Sequence, residues 1–208
     1  MLLKVPYIKQ FNTHSCYVAS AAMVMTFYGT KINQRTVYQK AKITAPDNKK
    51  EVWGVLDADL MLAINNKDYR MDLWVNYKPQ IKQNKAWNSL FWKYKTRLDK
   101  AKKLDMIIQH KNANISLIKR FIKKGIPVII EVHSNTWFRL QRFSDAETHN
   151  IVVLGYKSNK FIVNDPFMPY LGTNGKNYEV TSRHLKAAWE APPYFKNSMT
   201  ILTIKNNL

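Results

Sequence analysis

Thiols are scarce in this chain: Cys16 is the one cysteine in 208 residues. A single thiol excludes an intrachain disulfide framework and any cysteine-based zinc site. Acidic residues are also few, 14 Asp and Glu against 33 Lys and Arg, which gives a formal net charge of +19. That excess predicts attraction to polyanions such as nucleic acid, anionic lipid or an anionic cell wall, and says nothing about fold. The plainer alternative is a coat of solvated lysines. Long apolar runs are missing too. No stretch approaches the ~18 uninterrupted apolar residues of a membrane span. Met1-Leu2-Leu3-Lys4 runs straight into Val5-Pro6, which leaves no room for a signal peptide. The expectation is synthesis in the cytoplasm, with any release to the cell wall by a separate route. Internal repeats, low-complexity tracts and flexible linkers are absent.

What is present is enough for a core. Hydrophobic residues make up 46% of the chain, with six Trp, eleven Tyr and nine Phe. The length fits one domain over residues 1–208, with a basic helical insertion at about 80–110.

The stretch Val5 to Gly29 organises the rest. A short β-prone run, Val5 to Ile8, leads into polar residues, and a helix is expected to begin at or beside Cys16. Thr13 and Ser15 are both suitable N-caps. Val18 to Tyr28 is small or apolar nearly throughout, the pattern of a buried helix, and Gly29 suits its C-terminal end. A thiol at a helix N-terminus is biased towards thiolate, the nucleophilic form. A small, inert core cysteine is the competing reading.

Downstream, Lys31 to Ala41 reads as an amphipathic helix with Val37 and Tyr38 inward, and Thr44 to Asn48 as a loop. Val55 to Asn65 has Leu56, Leu60 and Ile64 at helical spacing. Asp57 and Asp59 fall near its start, where negative charge complements the helix dipole. Tyr69 to Tyr77 alternates as a strand, with Met71, Leu73 and Val75 on one face. The basic segment from Gln80 to His110 interleaves Trp87, Phe91 and Tyr94 with lysines. Stacking on nucleic acid is conceivable there, but the aromatics fall at helical spacing, which favours a helix with lysines in water. Ile115 to Lys124 is a helix ended by Gly125, and Pro127 to His133 a buried strand. Asn135 to Thr148 reads as a polar loop. Strands follow at His149 to Tyr156 and Phe161 to Asp165, joined by a turn at Ser158-Asn159. Tyr178 to Val180 is a strand, Thr181 or Ser182 caps a final helix, and Ser198 to Ile204 is a closing strand. Helices first and strands later is an α+β pattern.

Five histidines can partner Cys16. His14 is too close in sequence, His110 lies in the basic segment and His184 in the last helix, while His133 ends a strand and competes with His149 for the role. His149 opens a strand whose hairpin partner ends at Asn164-Asp165-Pro166. The hairpin would bring His149 and Asp165 together at one end.

Several segments, taken in order, resemble papain-like cysteine peptidases of the bacteriocin-processing (double-glycine leader) type. They are Gln10, Cys16 opening an Ala/Met-rich helix that ends Tyr-Gly, Gly125 to Ile130, His149 with Val152 to Tyr156, Asn164-Asp165-Pro166, and Tyr178 to Thr181 before a helix ending in Trp189. The resemblance implies an α+β papain-like fold, its nucleophile helix packed on a C-terminal antiparallel sheet. It implies that Cys16 is the nucleophile, His149 the general base and Asp165 its orienter. The Gln10 amide would join the Cys16 N–H as the oxyanion hole, and no metal or cofactor is required. Two positions depart from the family's pattern. Tyr17 stands where glycine usually follows the cysteine, and Asn150 where an aromatic usually follows the histidine. Both are expected to touch substrate, and Tyr17 to narrow the site.

A cysteine-dependent amide or peptide hydrolase is therefore the leading expectation, with a phage-type lysin cutting cell-wall peptides as one form of it and a peptide or peptidoglycan as substrate. The alternatives are a cytoplasmic protein-processing peptidase, an acyl transferase on the same triad, and an inactive scaffold binding nucleic acid through its basic region.

Overall fold

The computed structural model describes residues 1–44, 52–75, 95–111, 113–140, 148–168, 172–192 and 197–205. The aromatics Trp87, Phe91 and Tyr94 of the expected insertion, and most of the loop expected at Thr44 to Asn48, lie outside them.

Helix α1 (Cys16–Phe27) begins at the cysteine, and every residue from Tyr17 to Met25 is buried, as its all-round apolar character requires. Gly29 follows it at φ 89°, a conformation that costs glycine little. Ser15 holds the N-cap position, but its hydroxyl bonds no helix N–H. It donates to the Asn12 carbonyl at 3.1 Å and accepts the Asn12 N–H at 3.2 Å. The expected side-chain cap is thus replaced by a closed turn that feeds the chain into Cys16. Helix α2 is Gln34–Ala41, later than the hydrophobic spacing suggests, because Asn33 caps it by accepting the Thr36 N–H. Val37, Tyr38 and Ala41 are its buried face.

Strands β1 (Lys42–Thr44) and β2 (Val52–Val55) form a separate antiparallel ladder. Helix α3 (Asp57–Ile64) carries Asp57 and Asp59 in its first turn. The dipole is only part of their setting: Tyr17 donates to Asp57, and Arg97 pairs with Asp59 at 2.9 Å. Arg97 belongs to a helical stretch at residues 95–102.

The main sheet has seven strands. They are β3 (Tyr69–Trp74), β4 (Met106–Gln109), β5 (Val128–His133), β6 (Thr148–Lys157), β7 (Lys160–Asn164), β8 (Tyr178–Thr181) and β9 (Met199–Ile204), in the spatial order β4-β3-β9-β5-β6-β7-β8. All neighbours are antiparallel except β3 and β4. This is the expected α+β architecture, with two local corrections. Met106–Gln109, read as part of a helical insertion, is instead an edge strand parallel to β3. Ser134–Phe138, read as loop, is a short helix, α5. Its Trp137 is anchored by tertiary partners that no local pattern reveals.

Helix α4 (Ile115–Lys123) is capped by Asn114, and helix α6 (Ser182–Glu190) by Thr181, whose hydroxyl accepts the His184 N–H. α1 packs on β6 and β9, while α6 packs on β5, β7 and β8. Among the described residues no helix is long and apolar enough to cross a membrane.

Candidate active site

The hairpin of β6 and β7 delivers the expected pair. Its register runs from Lys157↔Lys160 to Val152↔Asn164, with an irregularity between Val153 and Gly155. Asp165 leaves the end of β7 beside His149, and His149 Nε2 lies 2.8 Å from Asp165 Oδ1, both residues buried. The Cys16 thiol lies within electrostatic reach of the His149 ring, whose Nε2 is taken by Asp165. Pairing with β7 stops at Val152, so the edge of β6 at His149 and Asn150 is open. Cys16 takes that edge. Asn150 reaches the sulfur with its backbone N–H, and with its side-chain Nδ2 at 4.0 Å. Ser20, one turn along α1, donates to the Asn150 carbonyl at 3.2 Å.

Asp165 is held on every side. Trp137 Nε1 donates to Oδ2 at 2.6 Å, and the Phe167 N–H donates to Oδ1 at 2.8 Å. Its backbone N–H donates to the Gly175 carbonyl at 2.8 Å, and its carbonyl accepts the Tyr7 hydroxyl at 3.0 Å. A Cβ on Gly175 would stand 2.0 Å from the Asp165 carbonyl oxygen, so only glycine fits there. Phe138 and Phe167 flank the His149 ring at centroid distances of 5.2 and 6.0 Å, excluding water from one side of it.

These contacts fix the charge state. Burial pushes the Cys16 thiol up, but the hydrogen bond and charge of His149, with the Asn150 donors, outweigh it and hold the thiol below its ordinary value. Burial pulls the His149 imidazole down, yet Asp165 and Cys16 more than offset that and raise it to about 10. Asp165 is lowered despite its burial, by His149 and Trp137. The favoured state is a thiolate–imidazolium pair backed by a carboxylate.

Gln10 is buried, and its backbone N–H donates to the Pro166 carbonyl at 3.2 Å, next to Asp165. Its side-chain amide donates to the Asn12 carbonyl at 2.6 Å, within the turn that ends at Cys16. Tyr17 points inward rather than across the cysteine. Its buried hydroxyl donates to Asp57 and lies 2.7 Å from Thr200 Oγ1. Of the other histidines, His133 bonds Thr136, and His184 stacks on Trp137 and bonds its carbonyl. Trp137, Gly175 and Tyr7 were not singled out from sequence. Trp137 lies in a stretch read as loop, and the need for glycine at position 175 shows only when the chain has folded back on Asp165. Among the described residues no cluster of three or more His, Cys, Asp or Glu is arranged to hold a metal ion.

Comparison with known proteins gives the family and the fold. The model of the peptidase C39-like family matches residues 2–194. Among solved structures, a chain assigned as a C39-like peptidase from Bacillus anthracis superposes with a TM-score of 0.58 at 14% identity, over 96% of each chain. A double glycine motif protease from an AMS/PCAT transporter, in complex with the leader peptide, gives 0.49 at 16% identity, over 98% of this chain and 94% of that one. The peptidase domain of Streptococcus ComA, a bifunctional ABC transporter of a quorum sensing pathway, gives 0.49 at 14% identity, over 96% and 98%. At these identities the first likeness establishes a shared fold. No curated protein matches the chain.

Proposed function

The chain belongs to the peptidase C39-like family and is a cysteine peptidase, and from that premise we propose that it cleaves peptide bonds with Cys16, His149 and Asp165 as its catalytic triad. The observation that carries the reading is the setting of one imidazole: Asp165 at 2.8 Å on Nε2, and Cys16 within electrostatic reach of the same ring. The Cys16 thiolate attacks the scissile carbonyl. His149, already protonated, gives its proton to the leaving amine as the C–N bond breaks, and an acyl-enzyme remains. Water, deprotonated by His149, then hydrolyses the thioester and frees Cys16. Asp165 holds the ring's tautomer and orientation and stabilises the imidazolium. The Cys16 N–H at the start of α1 and the Gln10 side-chain amide stabilise the tetrahedral oxyanion.

The net charge of +19 supports a substrate held in anionic surroundings, and a cell-wall peptide meets that description. The test is incubation of wild type and Cys16→Ala with purified peptidoglycan and with casein. Cleavage of one substrate, abolished by Cys16→Ala and by iodoacetamide, is expected. Activity that survives both treatments would sink the triad. Activity on casein alone would favour a protein-processing peptidase over a cell-wall enzyme.

A further inference from the structure

A cavity of about 40 Å³ lies among residues of α1, α3 and the sheet. One water needs roughly 10–15 Å³ by this measure, so the cavity takes a few heavy atoms, the size of the tip of one side chain. Its wall includes Tyr17, the residue after Cys16, and Asn150, whose side-chain amide reaches the Cys16 sulfur at 4.0 Å. Val55, Leu56, Leu73, Val75 and Met199 give the wall an apolar side, and Ser198 and Thr200 add hydroxyls to it.

Two carboxylates enter this apolar wall from different elements: Asp57 at the start of α3, and Glu131 on β5, where it is paired with Asn150 across the β5–β6 ladder. Their partners are hydroxyls. Tyr17 donates to Asp57; Thr148 and Ser198 donate to Glu131. In a chain with 33 Lys and Arg against 14 acids, neither carboxylate forms an ion pair with any described residue. Paired acids elsewhere are matched: Asp59 with Arg97, Asp72 with Arg70. A carboxylate has about four lone-pair sites, so hydroxyls on Asp57 and Glu131 leave acceptor capacity towards the cavity. Two half-buried carboxylates on one cavity, with no cation among the described residues beside them, favour a bound positive charge there.

We propose that this cavity is a substrate subsite for a cationic group, the ammonium of a lysine-like side chain or a guanidinium, carried by a residue close to the scissile bond. It rests on the peptidase reading only for the direction from which the group arrives. The apolar wall accepts the methylene stem, Asp57 and Glu131 bind the charged end, and the bound residue lies against Asn150 beside the thiolate.

Two measurements on the full chain test it with one synthetic peptide set, in which each position in turn carries lysine, arginine, norleucine or acetyl-lysine. In the first, cleavage by wild type is mapped by mass spectrometry. Lysine or arginine is expected to exceed norleucine and acetyl-lysine by about tenfold or more at one position, and Glu131→Gln, or Asp57→Asn where that variant folds better, is expected to erase most of the difference. In the second, binding of the same peptides to Cys16→Ala is followed by fluorescence anisotropy, which needs no turnover. The same order is expected, again flattened by adding Glu131→Gln. Wild type that cleaves nothing while Cys16→Ala still prefers lysine would defeat the peptidase reading and leave the subsite standing. Binding that ignores the charge, no binding at all, or a preference unchanged in both acid variants overturns the subsite.

Discussion

Trp137 donates its indole N–H to Asp165 Oδ2 at 2.6 Å, opposite the oxygen that faces His149. The carboxylate that orients the imidazole is thus itself oriented, by a residue from a five-residue helix. Trp137→Phe keeps the ring and removes this donor. The expected result is a kcat lowered by roughly 10- to 150-fold with KM little changed, the cost of about one hydrogen bond to a charged group. A change confined to KM, or to thermal stability, would assign Trp137 to packing alone.

Asp165→Asn probes the next link. The amide fits the same space but offers His149 the wrong partner for an imidazolium. A loss of roughly 10²–10⁴-fold in kcat is expected, by analogy with other triads. Because Asp165 also raises the histidine, the alkaline limb of the pH profile should move down in this variant. An unshifted limb would count against the pairing.

The pH profile of wild type follows from the same couplings. The thiol is held below its ordinary value and the imidazole is raised to about 10. The thiolate–imidazolium pair therefore forms as pH rises through the lowered thiol value and is lost as pH rises through about 10. The profile of kcat/KM against pH should be a broad bell, with an acid limb below that of a free thiol and an alkaline limb near 10. Alkylation by iodoacetamide should report the acid limb without substrate.

Gly175→Ala should be disproportionately harmful for so small a change. The added methyl meets the Asp165 carbonyl oxygen and the Tyr7 hydroxyl, at 2.0 and 2.8 Å, so the loop or Asp165 must move. Activity should fall at least about tenfold, since small misplacements of catalytic groups are costly. Gly29→Ala, where a Cβ meets nothing within 4 Å but φ is 89°, should lower the melting temperature and leave kcat nearly intact.

Stability carries its own pH signature at Glu131. Burial raises this carboxyl from 4.5 to about 7, with Asp57 adding to the rise and the Thr148 and Ser198 hydroxyls opposing it. The folded chain thus binds more protons than the unfolded one between those values, so stability falls as pH rises from about 4.5 to about 7 and stays reduced above it. Glu131→Gln removes that contribution. Urea titrations should show the variant gaining on wild type by about 1–3 kcal/mol across this window. Parallel curves would mean that Glu131 does not titrate there.

The features readable in the sequence were those carried by short-range pattern. The all-round apolar run after Cys16 marked α1, and the strand–turn–strand pattern around Ser158-Asn159 placed His149 beside Asp165. Three features were not readable, for physical reasons. Met106–Gln109 has no alternation to separate it from the basic segment before it; its strand character comes from pairing with β3. Trp137 sits among polar residues, and its role exists only once Asp165 and His184 close around it. Tyr17 was expected to narrow the site or alter which substrate fits; its position beside Cys16 was visible, and the inward direction of its hydroxyl was not. Asp57 and Thr200, distant in sequence, turn it inward.

Strand β9 lies between β3 and β5 and joins the two parts of the sheet. Its Thr200 bonds the Tyr17 hydroxyl, beside the nucleophile. The helix that begins at Cys16 is thus fastened to both parts of the sheet through one late strand, and a change in β9 reaches the start of that helix through Tyr17.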